Sequence, residues 1–220
     1  MAPAEPTVVA ANAHDDEVGK LAGLQAGRTT HKEHWGEVHV SNDAGKARSH
    51  IHLTSEWDVP PQTVFSIFTY PDNSKVFRDM QRVGSRKVLV SKPNYKEVEV
   101  EQTGELKVLW IRRTFSTWLK VVEDSRDAEC LTTEFTLLRS DVLAQFHGRW
   151  ELRPIKDESG AVIGTASELH QDVLPHGIPS FLRNLPVMGD LLRAVTMRAI
   201  RRLMEDVMAC IRKIKAGEAQ

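Results

Sequence analysis

The chain has only two cysteines, Cys130 and Cys210, and neither stands at metal-ligand spacing. Among 220 residues, two isolated thiols exclude a disulfide scaffold. They point to a reducing, intracellular compartment: cytoplasm, or plastid or mitochondrion after processing. No apolar run reaches the ~18 residues of a membrane-spanning helix, and no charged-then-apolar leader opens the chain. A charge excess of one sign is missing too. The 29 Lys and Arg face 30 Asp and Glu, so the overall basic footprint of a nucleic-acid binder is absent and no nucleic-acid partner is expected. There is no Gly-x-Ser-x-Gly elbow, no phosphate-binding glycine loop and no His-Glu-x-x-His. Nine histidines are present, but neither the set His31, His34 and His39 nor the pair His50 and His52 has a zinc-site spacing. No metal and no cofactor are expected.

What is present is a core-forming fraction of 41% hydrophobic residues and a clear change of period along the chain. Residues 1–45 lack sustained periodicity, are punctuated by Pro3, Pro6, Gly19, Gly23, Gly27 and Gly36, and read as a flexible or loosely docked arm. Order begins at Lys46. Ile51, Leu53, Trp57 and Val59 alternate with polar neighbours, which predicts a one-faced strand. Pro60 and Pro61 stop it, and Asp58 is placed to cap the short helix that follows. A turn at Tyr70–Asn73 precedes a second short helix, Ser74 to Met80. From Arg82 to Val173 the period is two. Strands are expected at 82–91, 95–102, 106–123 (broken or bent), 129–139, 142–152 and 161–173, with turn residues between them. The short connections predict an antiparallel meander.

After a rigid Pro175–Pro179 loop and a short helical piece at 180–185, one long helix closes the sequence, from Val187 to about Lys215. Met197, Ile200, Met204, Val207, Ile211 and Ile214 recur at spacings of three and four. At 1.5 Å per residue this helix is roughly 45 Å long, enough to cross a sheet. It also carries a basic run, which reads as a solvated face or as a surface for anionic lipid.

Four segments carry a family resemblance: Trp57–Phe65, Tyr70-Pro71-Asp72 with Phe77 and Met80, Phe146-His147-Gly148-Arg149-Trp150-Glu151-Leu152-Arg153-Pro154, and the Arg-rich terminal helix. Together they resemble the polyketide cyclase/dehydrase and lipid-transport group of the START-like superfamily. Within it they look most like the coenzyme Q-binding-protein type and plant and algal members. The resemblance spans about 46–215. It implies an α+β helix-grip fold: a curved antiparallel sheet of six to seven strands wrapped around the long helix, with two short helices after the first strand. The expected layout is therefore an arm, 1–45, and a START-like domain, 46–216.

Such a fold leaves a cavity between sheet and helix, and the resemblance implies a hydrophobic ligand there: a lipid, quinone, isoprenoid or polyketide-like compound. The candidate ligand-binding residues are Trp110, Phe135, Phe146, Trp150, Met188, Leu192 and Val195, with Arg112 as a head-group contact. Plain core packing is the competing reading of the aromatics, and Trp118 reads equally as cavity wall or rim. His147 and His170, with Glu134 or Glu168, are the candidate acid–base groups of a cyclase or dehydratase. His147 is out of phase with Phe146 and Trp150, and the inward positions read as largely apolar, which favours binding over catalysis. The segment Pro175–Met188 is a candidate gate or membrane-touching lip, and the arm a candidate contact for a protein partner in an assembly role.

Overall fold

The computed structural model describes residues 28–42, 48–108, 111–176 and 188–217, without the side chains of 105–108, 111–113, 188 and 189. The elements run β1 (Arg28–Glu33), β2 (Gly36–Asn42), β3 (Ser49–Trp57), α1 (Pro61–Phe68), a 3-10 turn (Asn73–Lys75), β4 (Met80–Lys92), β5 (Tyr95–Val108), β6 (Ile111–Asp124), β7 (Leu131–Ser140), β8 (Leu143–Lys156), β9 (Val162–Pro175) and α2 (Met188–Lys215).

All nine strands lie in one antiparallel sheet of order β1-β2-β3-β9-β8-β7-β6-β5-β4. Every pairing joins consecutive strands except β3 with β9. α1 and the 3-10 turn therefore carry the chain from β3 to the far edge, and the meander walks back until β9 docks on β3. Met197, Ile200, Met204, Val207 and Ile211 of helix α2 share one buried core with Val38, Val40, Ile51 and Leu53. Each such side chain contributes roughly 1.5–3 kcal/mol through burial, so the helix is held by packing and not by propensity. Among the described residues, no helix is long and apolar enough to cross a membrane.

This is the helix-grip architecture expected, with corrections. Among the described residues the sheet has nine strands, not six to seven. The two additional ones, β1 and β2, come from the stretch read as an arm. Val38 and Val40 alternate inward, and Trp35 from the turn joins the core. Each strand is only six or seven residues long, too short for periodicity to stand out. The turn depends on Gly36, whose φ is +151° and whose missing Cβ would lie 2.0 Å from the Thr54 carbonyl oxygen. Gly36→Ala is expected to cost about 1–3 kcal/mol of backbone strain, read as a lower urea midpoint. An unchanged midpoint would mean that this hairpin is not tied into the fold.

The second short helix is one 3-10 turn, and β4 begins already at Met80. The break expected in 106–123 falls near its start: residues 106–108 end β5, and the rest is β6, because the chain reverses between Val108 and Ile111. Apolar residues on both sides of 106–111 concealed where that break falls. Asp58 does not cap α1, whose N-cap is Pro60. Its carboxylate pairs instead with Lys215 at the end of α2, and that hydrogen bond holds the carboxyl below its ordinary range.

Candidate ligand-binding site

A cavity of about 380 Å³ lies between the inner sheet face and the helices. Its floor follows from strand alternation. Val121, Phe135, Gly148 and Gln171 stand opposite one another on β6, β7, β8 and β9, forming one inward rung across four strands. Phe115 and Leu119 extend the floor along β6, and Phe146 and Trp150 along β8. The roof is Phe68 of α1, Phe77 and Met80 beyond the 3-10 turn, and Ala199, Ile200 and Leu203 of α2. Phe68 stacks on Trp150 with ring centroids 4.5 Å apart, and Phe135 tilts against Phe146 at 5.0 Å. Gly148 makes this packing possible: a Cβ there would lie 2.4 Å from the Phe135 ring. The open space Gly148 leaves is thus filled by an aromatic wall, not by the helix. A second, larger hollow of about 530 Å³ sits at the β1–β2 turn. Its lining of Lys32, Glu33, Glu37, Glu56 and Arg153 is that of a wet surface cleft, and the apolar cavity is the better ligand site.

Polar groups also face this cavity, some held by partners and some not. Glu123 of β6 is 6% exposed and forms an ion pair with Arg86 of the edge strand β4. Opposite Glu123 stands Thr133, whose buried hydroxyl oxygen has no hydrogen-bond partner among the described residues. The Asn73 side-chain oxygen, also on the cavity wall, is buried and unpartnered too. Such atoms are costly unless something hydrogen-bonds to them. On the helix side Asp206 accepts the Arg78 backbone N–H at 2.9 Å and lies 3.1 Å from its guanidinium. Burial nevertheless pushes the Asp206 carboxyl above its ordinary range, with Arg78 opposing.

Of the residues singled out from sequence, Phe135, Phe146 and Trp150 line the cavity together. Leu192 and Val195 are half-buried near the start of α2, while the helix meets the cavity further on, at Ala199, Ile200, Leu203 and Asp206. Trp110 lies outside the described residues, as do the side chains of Arg112 and Met188 and most of the 175–188 loop. Trp118 faces outward, its ring covered by Arg139 at 3.8 Å.

The Arg86–Glu123 pair escaped the sequence reading, which took the inward positions for largely apolar. The signal was present: Glu123 continues the alternation Leu119, Val121 and so had to point inward. His147 bonds Thr136 on the outer face, and Glu134 approaches Arg149 there. His170 and Glu168 bond each other on that face too. None of these four reaches the cavity.

The basic helix is largely engaged by its own protein. Arg201 pairs with Glu33, Arg202 with Asp79, and the buried Arg193 with Asp190 and Asn42. These internal bonds account for much of what sequence presented as a surface for anionic lipid.

Residues 37–161 match the model of a family described as Domain of unknown function DUF220. No curated protein matches the sequence. Among solved structures, human StAR-related lipid transfer protein 5 aligns with a TM-score of 0.58 at 9% identity, over 92% of this chain and 95% of that one. A START superfamily protein from Mycobacterium smegmatis aligns with a TM-score of 0.55 at 12% identity, over 75% and 98%. The Zhui aromatase/cyclase from a Streptomyces species gives 0.52 at 14%, over 78% and 99%. The fold is START-like, as the sequence resemblance implied.

Proposed function

The chain belongs to the family described as Domain of unknown function DUF220, and from the cavity its fold encloses we propose that it binds or carries one hydrophobic small molecule with a polar group at one end. The observation that carries this is the 380 Å³ space walled by Phe115, Leu119, Phe135, Phe146 and Trp150, with Arg86, Glu123 and Thr133 gathered in it. The volume falls at the small end of the range for drug-sized ligands, which suits a compact ring system or a single chain: a lipid, quinone, isoprenoid or polyketide-like compound. Apolar burial supplies affinity at ~25 cal/mol per Å². A hydroxyl or carbonyl on the ligand would satisfy the Thr133 oxygen and the ion pair. The unit doing this is the helix-grip domain with the 28–42 hairpin included. Cys130 and Cys210, neither of them in a disulfide, fit a reducing compartment.

Native mass spectrometry of the purified protein, followed by solvent extraction, tests the reading. A copurifying hydrophobe of one-to-one stoichiometry is the expected result. Ala199→Trp provides the control, because Ala199 is exposed yet lines the cavity, so a large ring there obstructs the space without displacing core. Uptake of a hydrophobic fluorescent probe should fall at least about tenfold, equivalent to about 1.4 kcal/mol, at unchanged melting temperature. Equal uptake by both proteins would argue against the cavity as the site.

One observation favours a second reading, a cyclase or dehydratase. Such chemistry needs an ionisable group inside the cavity, and Glu123 is one. Held by Arg86, it is a base only when the ligand loosens that pair. A recovered ligand whose mass shifts by the loss of water on incubation would establish catalysis.

A further inference from the structure

The outer face of the sheet, away from α2, carries a ladder of imidazoles that the cavity does not use. His39, His52 and His170 stand opposite one another on β2, β3 and β9. The His52 and His170 rings stack with centroids 4.5 Å apart and planes 14° from parallel, and His39 stacks on the other side of His52 at 5.9 Å. One residue pair along β9, Glu168 closes the cluster. His52 Nε2 lies 2.8 Å and His170 Nε2 2.9 Å from the same carboxylate oxygen, Oε1. All three atoms lie within 4.8 Å of one another.

We propose that His52, Glu168 and His170 form a binding site for one divalent transition-metal ion of the zinc or copper class. Two imidazole nitrogens and one carboxylate oxygen, already converging on a point, are a borderline-soft ligand set that such ions prefer. Bonds of ~2.0–2.2 Å require only small side-chain rotations from the present hydrogen bonds. The supporting shell exists as well. Arg153 lies 3.9 Å from the other Glu168 oxygen and leaves Oε1 for the ion. His39, bonded to Thr30 at 2.8 Å, braces the His52 ring from behind. The site is reachable, since the His52, Glu168 and His170 side chains are 40%, 35% and 63% exposed. Sequence spacing could not show it, because 116 positions separate His52 from Glu168 and the sheet alone brings them together.

The proposal is independent of the cavity and is tested on the untagged full chain with zinc alone. Isothermal titration should show one equivalent bound. His170→Gln and Glu168→Gln should each weaken it by at least about 10-fold, the scale at which even supporting groups act. His147→Gln, on the same face but outside the cluster, should leave it unchanged. With copper, electron paramagnetic resonance should show coupling to two nitrogens in the wild type and to one in His170→Gln. All the substituted side chains are at least a third exposed or on the surface, so folding is preserved. No binding at about 1 mM zinc, equivalent to less than about 4 kcal/mol, overturns the proposal. So does equal binding by wild type and His170→Gln, which would put the metal on other histidines.

Discussion

Arg86→Leu destabilises the protein by about 3–5 kcal/mol in urea unfolding, because it strands the Glu123 carboxylate in the cavity. The magnitude follows from burial: the Glu123 side chain is 6% exposed and that of Arg86 18%. The Glu123 carboxylate has no bulk water to replace its partner. Glu123→Leu leaves the guanidinium unpaired, but Arg86 sits on an edge strand and can turn toward solvent, so its cost should be smaller. The double variant, Arg86→Leu with Glu123→Leu, should recover most of the loss, since removing both charges removes both desolvation penalties. Affinity and stability should then part company. The double variant keeps its uptake of a plain hydrocarbon probe and loses preference for ligands with a hydroxyl or carbonyl. Single variants costing under about 1 kcal/mol would mean that the pair is hydrated like a surface salt bridge and that this end of the cavity is wet.

How much of this could be read in the chain depends on where each signal lives. The helix stripe from Met197 to Ile211 and the alternation of β8 are local, so the long helix and the strand carrying Phe146 and Trp150 were legible. A break within 106–123 was legible, but not the reversal between Val108 and Ile111, because apolar residues flank it on both sides and the alternation does not say where the chain breaks. β1 and β2 were missed for their length: two short strands beside a glycine turn resemble a loop until Trp35, Val38 and Val40 are seen to share a core with Leu53. The register of helix against sheet lies beyond any local pattern. The apolar stripe is continuous from Leu192 onward, so nothing in it says that Ala199 and Leu203, not Leu192 and Val195, reach the cavity. The Glu168 cluster is the extreme case, since His52 and His170 meet only because β9 docks on β3.

Trp150→Ala distinguishes a ligand cavity from ordinary core. Trp150 is 5% exposed, stacks on Phe68 and faces Thr133 and Leu169 across the sheet. Its truncation should cost about 3–5 kcal/mol, as large-to-small changes of buried aromatics do. Trp118→Ala should cost only about 0.5–1 kcal/mol, because that ring lies on the outer face under Arg139. Loss of stability alone does not separate the two readings, since both need Trp150 packed. The ligand does. If the space is a binding site, the truncation enlarges it by an indole. A bulkier hydrophobe then restores stability by mass action, about 2.7 kcal/mol at a hundredfold excess over its dissociation constant. The wild-type protein should discriminate against that same compound for want of room. If no hydrophobe of any size raises the melting temperature of either protein, the walls around Trp150 are core and the ligand reading fails with them.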